Sequence, residues 1–192
     1  METQVVFGII AGIITTISCS VYILAIVFHH TRPSRVTWWT WSVIQLMQTI
    51  SYWKSTDNPE SIWVSVAYTL ATITIAILSI WKGHSDKADR NILIGIGLAT
   101  VVWLITGPIG GLLSIVAIDA LASWATIRKS IIHPLTENLT SWGLGFLGNA
   151  INLLAIGQWQ ELAVIYPIYL FIMTGWVTRN LLLYKIRCIK SV

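Results

Sequence analysis

A tryptophan-led stretch, His29 to Trp53 (HHTRPSRVTWWTWSVIQLMQTISYW), recurs in worn form 101 residues further along the chain. Laying Pro33 on Pro134 places Trp41 on Trp142, Gln48 on Asn149 and Tyr68 on Tyr169 with no gap. A constant offset means that segment and loop lengths were kept along with residue types, the mark of a structural repeat. Each copy holds an apolar segment, a basic turn with a proline, a tryptophan-led segment and a third apolar segment. One more apolar segment joins the copies. The expected plan is three plus one plus three.

Of the 192 residues, 55% are hydrophobic and 10% charged, where soluble domains carry roughly 25% charged residues. A spanning helix needs about 20 apolar residues, and seven such segments use most of the chain. The expected spans are residues 5–28, 36–53, 62–81, 92–105, 109–127, 139–156 and 162–183. The fold class is then an all-α membrane protein with seven transmembrane helices, two parallel three-helix repeats joined by a linker helix. Residues 1–81 form the first repeat, 82–106 the linker, and 107–192 the second repeat with a basic tail. Gly8 and Gly12 on the first segment have the spacing that lets two helices approach closely. Cys19 sits inside that segment and Cys188 in the tail, so no structural disulfide is expected. Met1 to Gln4 carries no Lys or Arg, and the run that follows is too long for a signal-peptide core.

The basic residues fix an orientation. With the amino terminus outside, the inner loops and tail hold eleven Lys and Arg and the outer side only Lys54. That is the positive-inside pattern of a plasma (bacterial inner) membrane protein with a cytoplasmic carboxyl terminus. Orientation accounts for the net charge of +4, so no nucleic-acid partner is implied. The partners expected are the lipid bilayer and a small polar solute, with a homo-oligomer left open.

On the second segment Trp41, Gln45, Gln48 and Tyr52 fall at helical spacing, and on the sixth Trp142, Phe146, Asn149 and Asn152 do much the same. Amides cannot face hydrocarbon without partners, so each stripe must face protein or a wet cavity. The plainer reading is hydrogen bonding between helices. The sharper one is a pathway wall, with amides meeting a neutral polar solute and indoles stacking on it. Tyr68 and Tyr169, equivalent under the repeat, join that candidate substrate-binding set.

Asp119 is the only acid within an expected span, and its repeat counterpart is Ser18. Desolvation disfavours a charged carboxylate, and acids at that depth mark functional sites by default. Asp119 is therefore the proton-coupling candidate, with a structural hydrogen bond to an indole, amide or tyrosine as the other reading. His29, His30, His84 and His133 all fall in expected loops, and no metal site or cofactor is expected. There is no HExxH, no GxSxG and no paired intramembrane aspartates. The last span has no lysine before Lys185, which excludes a retinal Schiff base within it. No enzyme is expected.

The three-plus-one-plus-three plan, outer amino terminus and paired proline turns resemble the SWEET and PQ-loop superfamily, whose general plan bacterial nicotinamide-riboside transporters share. Residues 31–38 (TRPSRVTW), with Ile127-Arg128-Lys129 through His133-Pro134 to Glu137-Asn138, are similar to uncharacterised bacterial membrane proteins of this type. The resemblance implies a transporter. Such relatives place a proline near the cytoplasmic end of the first helix of each repeat, thought to allow bending during alternating access. Here those positions are Leu24 and Ala125, again 101 apart, and no Pro-Gln dipeptide occurs. The expected function is transport of a small polar solute from a midplane site between the repeats. The alternative is a non-transporting membrane protein that binds a lipid, a small ligand or a protein partner.

Overall fold

The computed structural model describes residues 2–28, 31–55, 62–87, 89–105, 108–156 and 161–190. Among these residues the chain is all-helical, with no strand. The helices are α1 (Glu2–Phe28), α2 (Arg35–Ser55), α3 (Ile62–Lys82), α4 (Asp89–Ile105), α5 (Pro108–Ile132), α6 (Leu139–Leu154) and α7 (Glu161–Lys190). The all-α expectation holds. By length and composition, α1 alone among the described residues meets the requirement for a span: its segment Thr3–Phe28 has a mean hydropathy of 2.3. The apolar run Val66–Lys82 in α3 is shorter.

Two helices outrun the apolar segments that announce them. α5 does not stop at Ile127 but carries Arg128 and Lys129 on to Ile132. α7 continues through the basic tail to Lys190. Apolarity ends at the first charge, whereas backbone hydrogen bonding does not, and cations near a helix carboxyl end are favoured by its dipole. α6 has a defined start: the Asn138 side chain caps it by accepting from Ser141 N at 2.8 Å.

The chain packs as two compact units, Met1–Thr31 with Ile127–Val192, and Arg32–Thr126. The repeat halves are a relation of sequence, and the units group helices differently. Each unit joins the first helix of one copy to the second helix of the other. In the first unit α1 packs along α6, and α6 along α7. Ser18 Oγ donates to the Ser141 carbonyl and Ser141 Oγ returns the bond to the Ser18 carbonyl, each at 2.8 Å. Close approach depends on α6 rather than on Gly8. A Cβ at Gly148 would stand 2.7 Å from Thr15 Oγ1 and 3.4 Å from the Ala11 carbonyl oxygen, whereas one at Gly8 would meet Ala155 at an ordinary 3.8 Å.

In the second unit α2 packs on α3, with Thr49 and Thr69 hydroxyls 2.8 Å apart. The chain before α2 pairs with the chain after α3: His84 N donates to the Pro33 carbonyl at 2.8 Å and Arg35 N to the His84 carbonyl at 3.1 Å. α2 meets α5 where Thr37 Oγ1 donates to the Ala122 carbonyl at 2.6 Å. Val36, Ile92 and Ala125 form a small apolar cluster joining α2, α4 and α5.

Polarity is distributed against the habit of a water-soluble protein. Buried side chains are as often polar as apolar among the described residues, and serines and threonines dominate the polar share. Large aliphatic side chains, including Val5, Ile9, Ile13, Leu24, Leu70 and Ile80, lie outside. Outward hydroxyls are folded back into their own helices. Thr16 donates to Gly12 O, Ser20 to Thr16 O and Thr74 to Leu70 O, at 2.8 to 2.9 Å. A hydroxyl bonded four residues back needs no water.

Candidate functional site

Asp119 lies in the register 119, 122, 123 and 126 of α5, and Thr37 and Trp41 of α2, with Ser34 just before that helix, come to the same line. The carboxyl group is 1% exposed. Trp41 Nε1 donates to Asp119 Oδ1 at 2.7 Å, and Ser123 Oγ donates to the same oxygen at 3.0 Å. One turn along, Thr126 Oγ1 donates to Thr37 Oγ1 at 2.9 Å, extending the polar line. Trp41 is steadied by Trp38, edge to face at 5.0 Å between ring centroids. The hydrogen bond to an indole, the structural alternative to proton coupling for Asp119, is present.

A second carboxylate, Glu137, is buried in the first unit, and it is not among the site residues expected from the sequence. Glu137 follows the short 3-10 turn Pro134–Thr136 and directly precedes the cap of α6. Its Oε2 accepts from Trp142 Nε1 at 2.8 Å and from the Tyr22 hydroxyl at 2.9 Å. Its Oε1 is ion-paired with Lys129 Nζ, the two side chains being 0% and 2% exposed. Lys129 reaches it because α5 remains helical beyond Ile127. Tyr22 and Trp142 also touch edge to face, with centroids 6.1 Å apart and rings at 80°.

The indole and hydroxyl donors of these two clusters correspond under the 101-residue offset, while Lys129 (opposite Phe28) and the acceptors do not. Trp41 matches Trp142 and Ser123 matches Tyr22, while Asp119 matches Ser18 and Glu137 matches Val36. Each cluster therefore takes an indole N–H from one copy and a hydroxyl from the other, but the acid comes from α5 in one and from the turn before α6 in the other. Where Ser18 replaces the acid, the helices are joined by the reciprocal serine bonds instead. The signal available in the sequence was Glu137 itself, an acid five residues ahead of the second copy's tryptophan.

The other expected site residues fall as follows. Gln45 is half-buried on α2, and its backbone carbonyl accepts from Thr69 Oγ1 at 3.3 Å. The backbone of Gln48 lies in α2, and its side chain falls outside the described residues. Asn149 Nδ2 donates to Thr174 Oγ1 on α7 at 3.3 Å. Asn152, half-buried, gives its carbonyl to Ala155 N at 3.1 Å. Tyr68 is half-buried on α3, and Tyr169 lies on α7 with its ring 6.1 Å from that of Tyr166. The structure thus joins Trp41 to Asp119 in one unit. In the other unit it joins Trp142 to Glu137 and Asn149 to Thr174. His29 and His30 fall outside the described residues. Compared with protein-family models, with curated proteins and with solved structures, the chain matches none.

Proposed function

We propose that this chain is an integral membrane protein whose seven helices cross the bilayer and that it carries a small polar solute. Membership of the SWEET and PQ-loop superfamily is part of that proposal. Polar burial, an aliphatic exterior and hydroxyls bonded back into their own helices support a hydrocarbon setting. The eleven-to-one bias of basic residues supports an outer amino terminus.

The observation that carries the transport reading is the pair of buried carboxylates, each held by the tryptophan of its own repeat position. The Glu137–Lys129 pair is not required for stability as such, because apolar replacements of buried ion pairs are often neutral or stabilising. Asp119 lies within an expected span, and intramembrane acids concentrate on ion and substrate pathways. Asp119 is the group proposed to exchange a proton. Trp41, Gln45, Gln48 and Tyr68, with Trp142, Asn149, Asn152 and Tyr169, are the residues proposed to meet the solute. No catalytic role is assigned to any of them.

Uptake by proteoliposomes against a panel of sugars, nucleosides and vitamins tests the reading. Accumulation of one solute class above protein-free vesicles supports it. A purified protein that binds a ligand but moves nothing would support the non-transporting alternative.

A further inference from the structure

An open recess of about 690 Å³ lies where the start of α2 meets the turn between α3 and α4, wholly within the second unit. It contains none of the stripe residues and neither buried carboxylate cluster. Its bases are Arg35 at the start of α2, Arg90 at the start of α4, and Lys87 in the turn ahead of α4. The amino ends of both helices thus border the recess, and a helix dipole leaves partial positive charge there. Three bases stand against two acids, Asp86 and Asp89, so the lining is net positive.

Arg35 is held in place before any ligand arrives. Its Nε donates to the Ser79 carbonyl at 3.0 Å and its Nη2 to the Ile80 carbonyl at 2.9 Å, both at the end of α3. A guanidinium carries five N–H donors, so three remain beyond those two bonds, on a head group already ordered. Gly83 makes room for this arrangement, since a Cβ there would stand 2.9 Å from Arg35 Cγ. Both acids are already engaged. Asp89 is buried and its carboxylate accepts from Asp86 N at 2.9 Å, while Asp89 N donates to the Asp86 carbonyl at 3.0 Å. Asp86 has a partner of its own within the protein. A ligand therefore meets the bases.

Two guanidinium forks and an ammonium suit the oxygens of a phosphate group. The apolar lining indicates what the phosphate is attached to. Trp39 and Leu93, 45% and 53% exposed, continue the recess onto the aliphatic exterior. A tryptophan exposed beside bases is the pairing found at lipid headgroup level. We propose that the recess binds the phosphate of an anionic phospholipid through Arg35, Lys87 and Arg90, with an acyl chain along Trp39 and Leu93. A zwitterionic headgroup brings its own cation towards these bases and fits worse. The proposal rests on the membrane setting above and is independent of transport.

Native mass spectrometry of the full chain in detergent tests it with short-chain phosphatidylglycerol, phosphatidylethanolamine and phosphatidylcholine at equal concentration, and with water-soluble glycerol phosphate. The parent should retain phosphatidylglycerol about tenfold more than either zwitterionic lipid, the worth of one charge-assisted hydrogen bond. Lys87→Gln with Arg90→Gln should cut that retention about tenfold. Both side chains are exposed, so helical circular dichroism should match the parent's. Lys87→Gln alone should lower retention in the same direction and serves should the pair not fold. Lys185→Gln with Lys190→Gln removes the same charge from the end of α7 and should leave retention unchanged. Equal retention in the recess variants, an equal loss in the α7 variant, or no preference for the anionic lipid overturns the proposal. Glycerol phosphate retained as strongly as phosphatidylglycerol overturns the lipid source and assigns the recess to a soluble phosphate ester. Carbonate extraction of membranes separates the two readings: release of the chain sinks the membrane setting itself, whereas indifference to headgroup in a chain that stays membrane-bound sinks only the recess.

Discussion

The indole nitrogen of Trp41 lies 2.7 Å from the carboxylate oxygen Oδ1 of Asp119, joining α2 to α5 through a buried hydrogen bond. Because Ser123 donates to the same oxygen, removing the carboxyl group strands two donors at once. Asp119→Asn keeps an acceptor of the same size, so its thermal stability in detergent should stay close to the parent's. Asp119→Leu should cost about 1–3 kcal/mol through unsatisfied buried donors. Equal melting of Asn and Leu variants would show that these bonds do not hold the helices.

Glu137 should be the more sensitive acid. Glu137→Gln leaves the Lys129 ammonium buried without its counter-ion, a change that costs about 3–5 kcal/mol. Replacing both residues by apolar ones, Glu137→Leu with Lys129→Met, should recover much of that loss, since an apolar pair carries no desolvation penalty. Tyr22 and Trp142 donate to Glu137 and would lose their acceptor in the double variant, so recovery should stop short of the parent. Unfolding monitored by circular dichroism checks both, and a harmless single Glu137→Gln would contradict the buried pair.

The glycines should separate by their surroundings. Gly83→Ala brings a methyl group to 2.2 Å from a backbone oxygen, that of Ser79, and should cost about 1–3 kcal/mol. Gly143 lies inside α6 with nothing within 4 Å of an added Cβ. Gly143→Ala should therefore stabilise by about 0.5–1 kcal/mol through helix propensity. Melting temperatures that moved in the same direction for both would refute this reading.

Topology can be read by labelling single cysteines in a Cys19→Ser, Cys188→Ser background with a membrane-impermeant maleimide. Glu2→Cys and Asp57→Cys should label in intact cells, and Lys87→Cys only after permeabilisation, as the distribution of basic residues requires. Labelling at position 87 from outside would invert the orientation.

How far the sequence could be read divides by the kind of signal each feature leaves. The repeat exposed the equivalence of Trp41 and Trp142 and singled out Asp119, because a charged residue in an apolar run is conspicuous. It could not show that α1 packs on α6 and α2 on α5, crosswise between the copies. A segment that is apolar on most of its surface carries little periodicity to mark a buried face. Helix ends were hidden for a related reason: Arg128, Lys129 and the residues after Leu183 look like loop yet remain helical. That in turn hid Glu137. Its partner Lys129 was counted as a loop charge, and Tyr22 lies 115 residues away in sequence.

The central claim is that the chain moves a polar solute and that Asp119 exchanges the coupling proton. Uptake in proteoliposomes under an imposed pH gradient, parent against Asp119→Asn, tests it most directly. The account predicts that the parent accumulates a solute in response to the gradient. It also predicts that Asp119→Asn, folded as judged by its melting temperature, loses that accumulation while keeping downhill exchange. Identical dependence on the gradient in the two proteins, or no solute movement by the parent, would contradict it.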